Sequence, residues 1–320
     1  MSARFAFSIE AATTPSAPAG LDAIDAALIA AEERTQRRRG LSALGLRGAV
    51  YLGAAVTTLI MLFLVGYILI KGVPYLTPSL FAWDYTSDNV SLMPSLINTL
   101  LMLALSLLMA VPLGIGAAIF LVEYATRGNK FVQLVRMTAE TLAGIPSIIY
   151  GLFGMLFFVT ALGWNLSLMS GAATLAIMVL PVIIRTSEEA LSAVPDSFRE
   201  GSFGLGAGRL RTVFRVVLPS AIPGIFGGVI LGMGRIVGEV AALIFTAGTI
   251  AAVPDFIGQG APAVFDSART LAVHMYVLAS EGLHINETYA TAVVLLVMVV
   301  VLNALSTLAV RKMSKGNRND

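Results

Sequence analysis

Arg235 and Glu239 are the residues whose placement most demands a chemical reason. Both sit in GGVILGMGRIVGEVAALIF, a run that is otherwise apolar. An ionised side chain at the centre of a membrane helix costs about 2.5–3.5 kcal/mol on insertion scales. On one continuous helix their i, i+4 spacing puts both on the same face, where they can pair. Arginine ahead of glutamate is the less favourable order against the helix dipole, so helix stability accounts for them poorly. Gly232, Gly234 and Gly238 lie around them and let another helix or a ligand approach closely. Two readings follow: an anion site in a polar pathway, or an ion pair that locks two helices together. The planar guanidinium fork of arginine suits phosphate, since it can bind two oxygens at once. Glu239 would then neutralise Arg235 when the path is empty. It would also take up the proton that phosphate carries at neutral pH and sulfate lacks.

Ser147 is a further candidate. It follows Gly144-Ile145-Pro146, which should bend or break a helix. A half-helix starting there presents free N–H groups and a positive dipole end to an anion. A simple packing kink accounts for the same residues.

A different task falls to residues 200–219, EGSFGLGAGRLRTVFRVVLP, the only long polar segment between two strongly apolar ones. Arg209, Arg211 and Arg215 keep it out of hydrocarbon. Its halves read as two short helices with a bend at Gly204, Gly206 and Gly208, and Pro219 opens the next apolar helix. Such a knuckle fits a groove on a partner and carries force into a membrane. The remaining polar residues suggest structural roles. Glu140 can pair with Arg136, and Asn98, Asn165 and Asn303 can bond between helices. His274 and His284 stand ten apart with no helical register between them.

These residues need elements to hold them. The chain has 320 residues, 57% hydrophobic and 12% charged, against about a quarter charged in soluble domains. It is therefore an all-α, polytopic membrane protein. Six apolar runs approach the length a bilayer requires: 49–70, 94–122, 137–162, 171–184, 219–248 and 289–310. Residues 1–48 form a tail, disordered over its first 20 residues. Over 21–39 the tail is either a surface helix or a flexible basic segment. Residues 249–288 read as a polar loop, and 311–320 as a basic tail. Assigning the N-terminus to the cytoplasm places 18 of the 21 Lys and Arg inside and two outside, with Arg235 in a span. The positive-inside rule then puts both termini and the 186–218 loop in the cytoplasm of a cell-membrane protein.

The absence of cysteine excludes disulfides and thiolate metal sites. No Lys follows a Gly, so no phosphate-cradling G-x-x-x-x-G-K-[ST] loop exists. No catalytic residue, cofactor, metal or nucleic-acid partner is expected; if ATP drives this protein, another chain hydrolyses it.

The 200–219 segment resembles the EAA loop of ABC importer permeases. Glu200, Gly201, Ser202, Gly206, Val216, Leu218 and Pro219 fall on that pattern, with Gly201 and Ser202 in place of two alanines. Three further stretches, ETLAGIPSIIYGLFG, EALSAVPDSFREGSFGLGA and GRIVGEVAALIFTAG, look like the phosphate-specific (Pst) importer permeases. The run from Glu239 to Gly248 is similar to the PstA rather than the PstC member, with Val240 where that family usually has threonine. The resemblance covers about residues 49–310 and implies a six-span, MetI-like type I ABC importer fold. It implies a PstC-like second permease, PstB-like ATPase subunits, a PstS-like external phosphate-binding protein, and phosphate moved by alternating access. Another oxyanion, such as sulfate or molybdate, fits the same machine. An ion-coupled carrier or a non-transporting scaffold fits the docking loop and the buried arginine less well.

Overall fold

The computed structural model describes residues 19–125 and 128–316, with side-chain surroundings for 46–125 and 128–312. The chain divides into two units, residues 1–66 and 67–320. Helix α1 runs Ala19–Gly72, so the expected surface helix at 21–39 is part of one unbroken helix. The stretch 1–18 and the end of the basic tail, 317–320, lie outside the described residues. Beyond α1 come α2 (Met93–Ile119), α3 (Lys130–Ala143), α4 (Ser147–Gly154), α5 (Leu168–Ser192) and α6 (Asp196–Gly204). They are followed by α7 (Arg209–Thr212), α8 (Leu218–Val237), α9 (Ala241–Thr246), α10 (Leu271–Glu281) and α11 (Ile285–Gly316). Short π-helical stretches extend α2 through Phe120–Tyr124, extend α4 through Met155–Ala161, and join α7 to α8 through Val213–Val217.

Five helices are long and apolar enough to cross a bilayer, and α3 with α4 makes a sixth span if that bent pair is counted as one. Helix α5 is the hub. Leu175, Val179 and Ile183 on it are fully buried, among small neighbours such as Ala172 and Ala176. Helices α2 and α8 pack closely on it: a Cβ on Gly114 of α2 would come 2.6 Å from Ile183, and Gly228 of α8 lies against Thr186. Small residues let helix backbones approach where lipid supplies no hydrophobic drive.

The expected break in the third span is present, while the fourth span, the fifth span and the 200–219 segment are corrected. The third is two helices meeting at 103°, with the turn at 144–146. Pro146 lacks an N–H and is extended (ψ 141°), which ends α3 and starts α4 in a new direction. The fourth is longer than 171–184, because α5 continues to Ser192 and stops only before Pro195. An Arg185–Glu189 ion pair at i, i+4 supports that extra length. The second half of the 200–219 segment is not a short separate helix. It runs unbroken from Arg209 to Val237, and Pro219 does not start it. The π stretch just before Pro219 widens the turn, which accommodates the proline ring. The fifth span, conversely, is broken: α8 stops at Val237 and α9 begins at Ala241.

Candidate substrate path and coupling loop

The break after Val237 governs the chemistry of Arg235 and Glu239. Gly238 caps α8 (φ −89°, ψ 0°), and Val240 departs from helical geometry (φ −122°). Glu239 therefore leaves the helix that carries Arg235, and the two do not share a helix face. Glu239 is buried, and its Oε1 accepts the Ala242 N–H at 3.1 Å, capping the start of α9. No ion pair joins Arg235 to Glu239, or to any other carboxylate, among the described residues. Arg235 is half-buried, a guanidinium inside a bundle of spans with no counter-charge attached. A guanidinium left in this state is available to an anionic ligand.

Helix α4 closes one side of this break. Gly151 lies so close to α9 that a Cβ there would be 2.7 Å from the Cα of Ala242. Tyr150, one residue earlier, is within electrostatic reach of Arg235. Its hydroxyl donates to the Leu142 carbonyl at 2.7 Å, pinning the end of α3 across the 144–146 turn. Ser147 is half-buried in the first turn of α4, one turn before Tyr150. No side-chain hydrogen bond joins Ser147 to Arg235 or Glu239 among the described residues. Tyr150 is the member of this site that sequence reasoning missed. Its signal was a second hydroxyl, one turn after Ser147, in an apolar half-helix.

The loop residues form a compact knuckle. Helix α6 carries Glu200, Gly201 and Ser202; Gly206 turns the chain at φ +81°, open to glycine at no steric penalty. The Ser202 and Thr212 hydroxyls bond at 2.8 Å and tie the two limbs together. Val216, Leu218 and Pro219 are half-buried on the returning limb. Leu205 is 91% exposed at the tip, and Phe198, Phe203, Leu210 and Phe214 are exposed around it. A cluster of large apolar side chains on a charged loop is the mark of a docking surface. Arg136 pairs with Glu188 of α5, not with Glu140.

At the far end of α2 the expected polar loop 249–288 contains buried structure. Asn98 does not bond to another helix; its amide donates to the Ala252 and Arg269 carbonyls. The Arg269 guanidinium lies 4.7 Å over the Tyr85 ring, and the same ring meets His274 edge-on. His274 is fully buried on α10, which is not one of the spans. Burial, and then the Arg269 charge, push its pKa from 6.5 down to about 3. The fold thus holds a neutral imidazole, while the unfolded chain takes a proton below 6.5. The stability from this group is complete above pH 6.5 and is lost as pH falls from there towards 3. The expected loss is about 1.4 kcal/mol per pH unit. Melting of the detergent-solubilised protein between pH 6.5 and 5 should fall more steeply for the unaltered chain than for His274→Gln.

Comparison with known proteins bears on the family and the fold. The family described as the binding-protein-dependent transport system inner membrane component matches residues 110–319. A probable ABC transporter permease, YqgI of Bacillus subtilis, is 37% identical over 247 residues, 74% of this chain and 83% of that protein. PstA 1, a phosphate transport system permease of Mycobacterium tuberculosis, is 38% identical over 154 residues, 48% of this chain and 50% of that protein. In fold, the chain is similar to a chain of the inward-facing MetNI methionine ABC transporter, with TM-score 0.53 at 19% identity over 69% of this chain and 93% of that one. It is also similar to a chain of a bacterial alginate ABC transporter, with TM-score 0.56 at 17% identity over 84% and 94%. The family match covers well over half of the chain, and it falls on the hub helix, the knuckle and the broken span alike. The chain belongs to the binding-protein-dependent inner membrane components and is a permease subunit of an ABC importer.

Proposed function

We propose that this chain is the PstA-type half of an ATP-driven phosphate importer of the cell membrane. Both termini and the knuckle face the cytoplasm; residues 1–48 and 311–320 are cytoplasmic tails, and 49–310 form the permease. A PstC-like permease completes the path, PstB-like subunits hydrolyse ATP, and a PstS-like protein delivers phosphate from outside. The observation that carries this reading is the unpaired Arg235 guanidinium beside the α8–α9 break. The likeness to permeases named PstA supports phosphate as the anion. Arg235 grips two phosphate oxygens, and the N-terminal N–H groups of α4 at Ser147 offer further donors. The ATPase seats on Glu200, Gly201, Ser202 and Gly206. Its closure pulls Val216, Leu218 and Pro219, which continue directly into the helix that carries Arg235.

Glu239 is the selectivity element. Its second carboxylate oxygen is left to accept a hydrogen bond from the phosphate O–H, whereas sulfate has no proton to donate and is repelled. The test is vanadate-sensitive uptake in proteoliposomes holding the co-purified complex, with phosphate and sulfate in competition. Glu239→Gln keeps an oxygen for the Ala242 N–H but loses the charge. The phosphate-over-sulfate ratio should fall about tenfold, the worth of one charge-assisted hydrogen bond. An unchanged ratio removes Glu239 from selectivity. Preference for sulfate or molybdate in the unaltered complex makes this the same machine for another oxyanion. Uptake that survives loss of the ATPase makes it an ion-coupled carrier.

A further inference from the structure

Arg199, two residues before the knuckle's Gly201, is bound more completely than any surface arginine needs to be. Its Nε and Nη2 donate to Glu123 Oε1 at 3.1 and 2.8 Å. Nη2 also donates to the Leu191 carbonyl at 2.9 Å, and Nη1 to the Val194 carbonyl at 2.7 Å and to Asp196 at 3.1 Å. Leu191 lies in the last turn of α5, so Arg199 satisfies a helix-end carbonyl from outside. Glu123 is buried, and it sits in the π-helical turn that ends α2. The next residue of that turn, Tyr124, takes the other limb: the Arg209 guanidinium stands 5.3 Å from its ring centre. Two consecutive side chains of α2's last turn therefore hold one arginine from each limb of the knuckle.

We infer that this Glu123–Tyr124 turn is a second output of the knuckle, passing its displacement into α2 in parallel with the direct path into α8. Without such a grip, the knuckle would act on α2 only through the apolar packing of Ala118 and Ile119 with Val213 and Val217. With it, two spans flanking the hub α5 move together. π turns accommodate an extra residue and are frequent at functional sites, which suits a helix end that must yield. A cavity of about 780 Å³ lies beside the turn, lined by Glu123, Arg136, Asp196, Arg199, Phe203 and Arg209, and leaves room for the limbs to travel. The pair's burial makes the grip stiff, because breaking it strands a charge away from water. The inference rests on the reading that an ATPase drives the knuckle.

The test uses the whole reconstituted transporter with its ATPase. The chain has no cysteine, so each introduced cysteine is its single labelling site, and the unsubstituted complex carried through the same labelling gives the background to subtract. One label goes on exposed Leu113 of α2 as Leu113→Cys, the other on exposed Leu231 of α8 as Leu231→Cys. Trapping with ATP and vanadate should alter the spectra at both positions. In Glu123→Gln with Tyr124→Leu, the change at 113 should disappear while that at 231 persists. ATP hydrolysis should continue, and solute moved per ATP should drop about tenfold, as expected when one charge-assisted contact is lost. The exchanged pair Glu123→Arg with Arg199→Glu should recover part of the response at 113. Persistence of the response at 113 in the double variant overturns the inference, because α2 would then move without the grip. Loss of both responses together with loss of bound ATPase also overturns it, since the pair would then be only a structural clamp. If neither position responds in the unaltered complex, the reading of the knuckle itself fails, and this inference falls with it.

Discussion

Arg235→Ala should abolish most solute uptake while leaving the protein folded and assembled. A bidentate guanidinium–oxyanion contact contributes about 3 kcal/mol, which corresponds to a roughly hundredfold fall in uptake at limiting solute. The structural reason to expect a clean effect is that Arg235 has no ion pair to break among the described residues. Its removal strands no carboxylate, and Glu239 keeps its bond to the Ala242 N–H. Taking a charge out of a membrane helix is, if anything, favourable to insertion. The measurements are vanadate-sensitive uptake, co-purification of the ATPase and melting temperature. Arg235→Lys should restore only part of the activity, since an ammonium keeps the charge but not the fork. Normal uptake by Arg235→Ala would turn the residue into a structural or incidental charge and withdraw the anion path.

Gly151→Val should damage folding and transport together. A Cβ at 151 would stand 2.7 Å from the Ala242 Cα and 3.1–3.2 Å from the Ala242 and Ala241 carbonyl oxygens. Those are backbone atoms, which cannot rotate aside as a side-chain end can. The α4–α9 contact must open, and α9 is the helix that Glu239 caps. Overpacking of this kind costs about 1–3 kcal/mol. For a chain of this size each kcal/mol lowers the melting temperature by about 1.5 °C. Gly144→Ala is the matched control: its Cβ would meet only the Thr141 carbonyl, at an ordinary 3.5 Å. It should melt within about 0.5 kcal/mol of the unaltered chain. Equal behaviour of the two variants would mean that the α4–α9 packing does not hold the site.

Much of this protein could be read directly from its residues. Apolar runs of bilayer length made it an all-helical membrane protein, because backbone polar groups in hydrocarbon must be satisfied within the segment. The polar run from Glu200 to Pro219 stood out as a bent segment between apolar helices, and Arg235 stood out as a charge in an apolar run. Those are local properties of composition and spacing. The glycine–proline signal at 144–146 likewise foretold a break, since a missing N–H acts where it stands.

Other features were settled by contacts between distant residues. The 219–248 run reads as one apolar helix, yet it breaks at Gly238. Neither hydropathy nor proline marks the place; α4 packing through Gly151 and the Glu239 carboxylate on the Ala242 N–H stabilise the broken form. That break separates Arg235 from Glu239, which an unbroken helix would have paired. Arg199 counted in the sequence only as one more positive charge, because its partner Glu123 lies 76 residues away. His274 stood in what read as a polar loop, and its burial against Tyr85 and Arg269 came from the packing of α10. Spacing along the chain determines which helices form and where a local break must fall; which charges meet, and which stay alone, depends on how those helices pack.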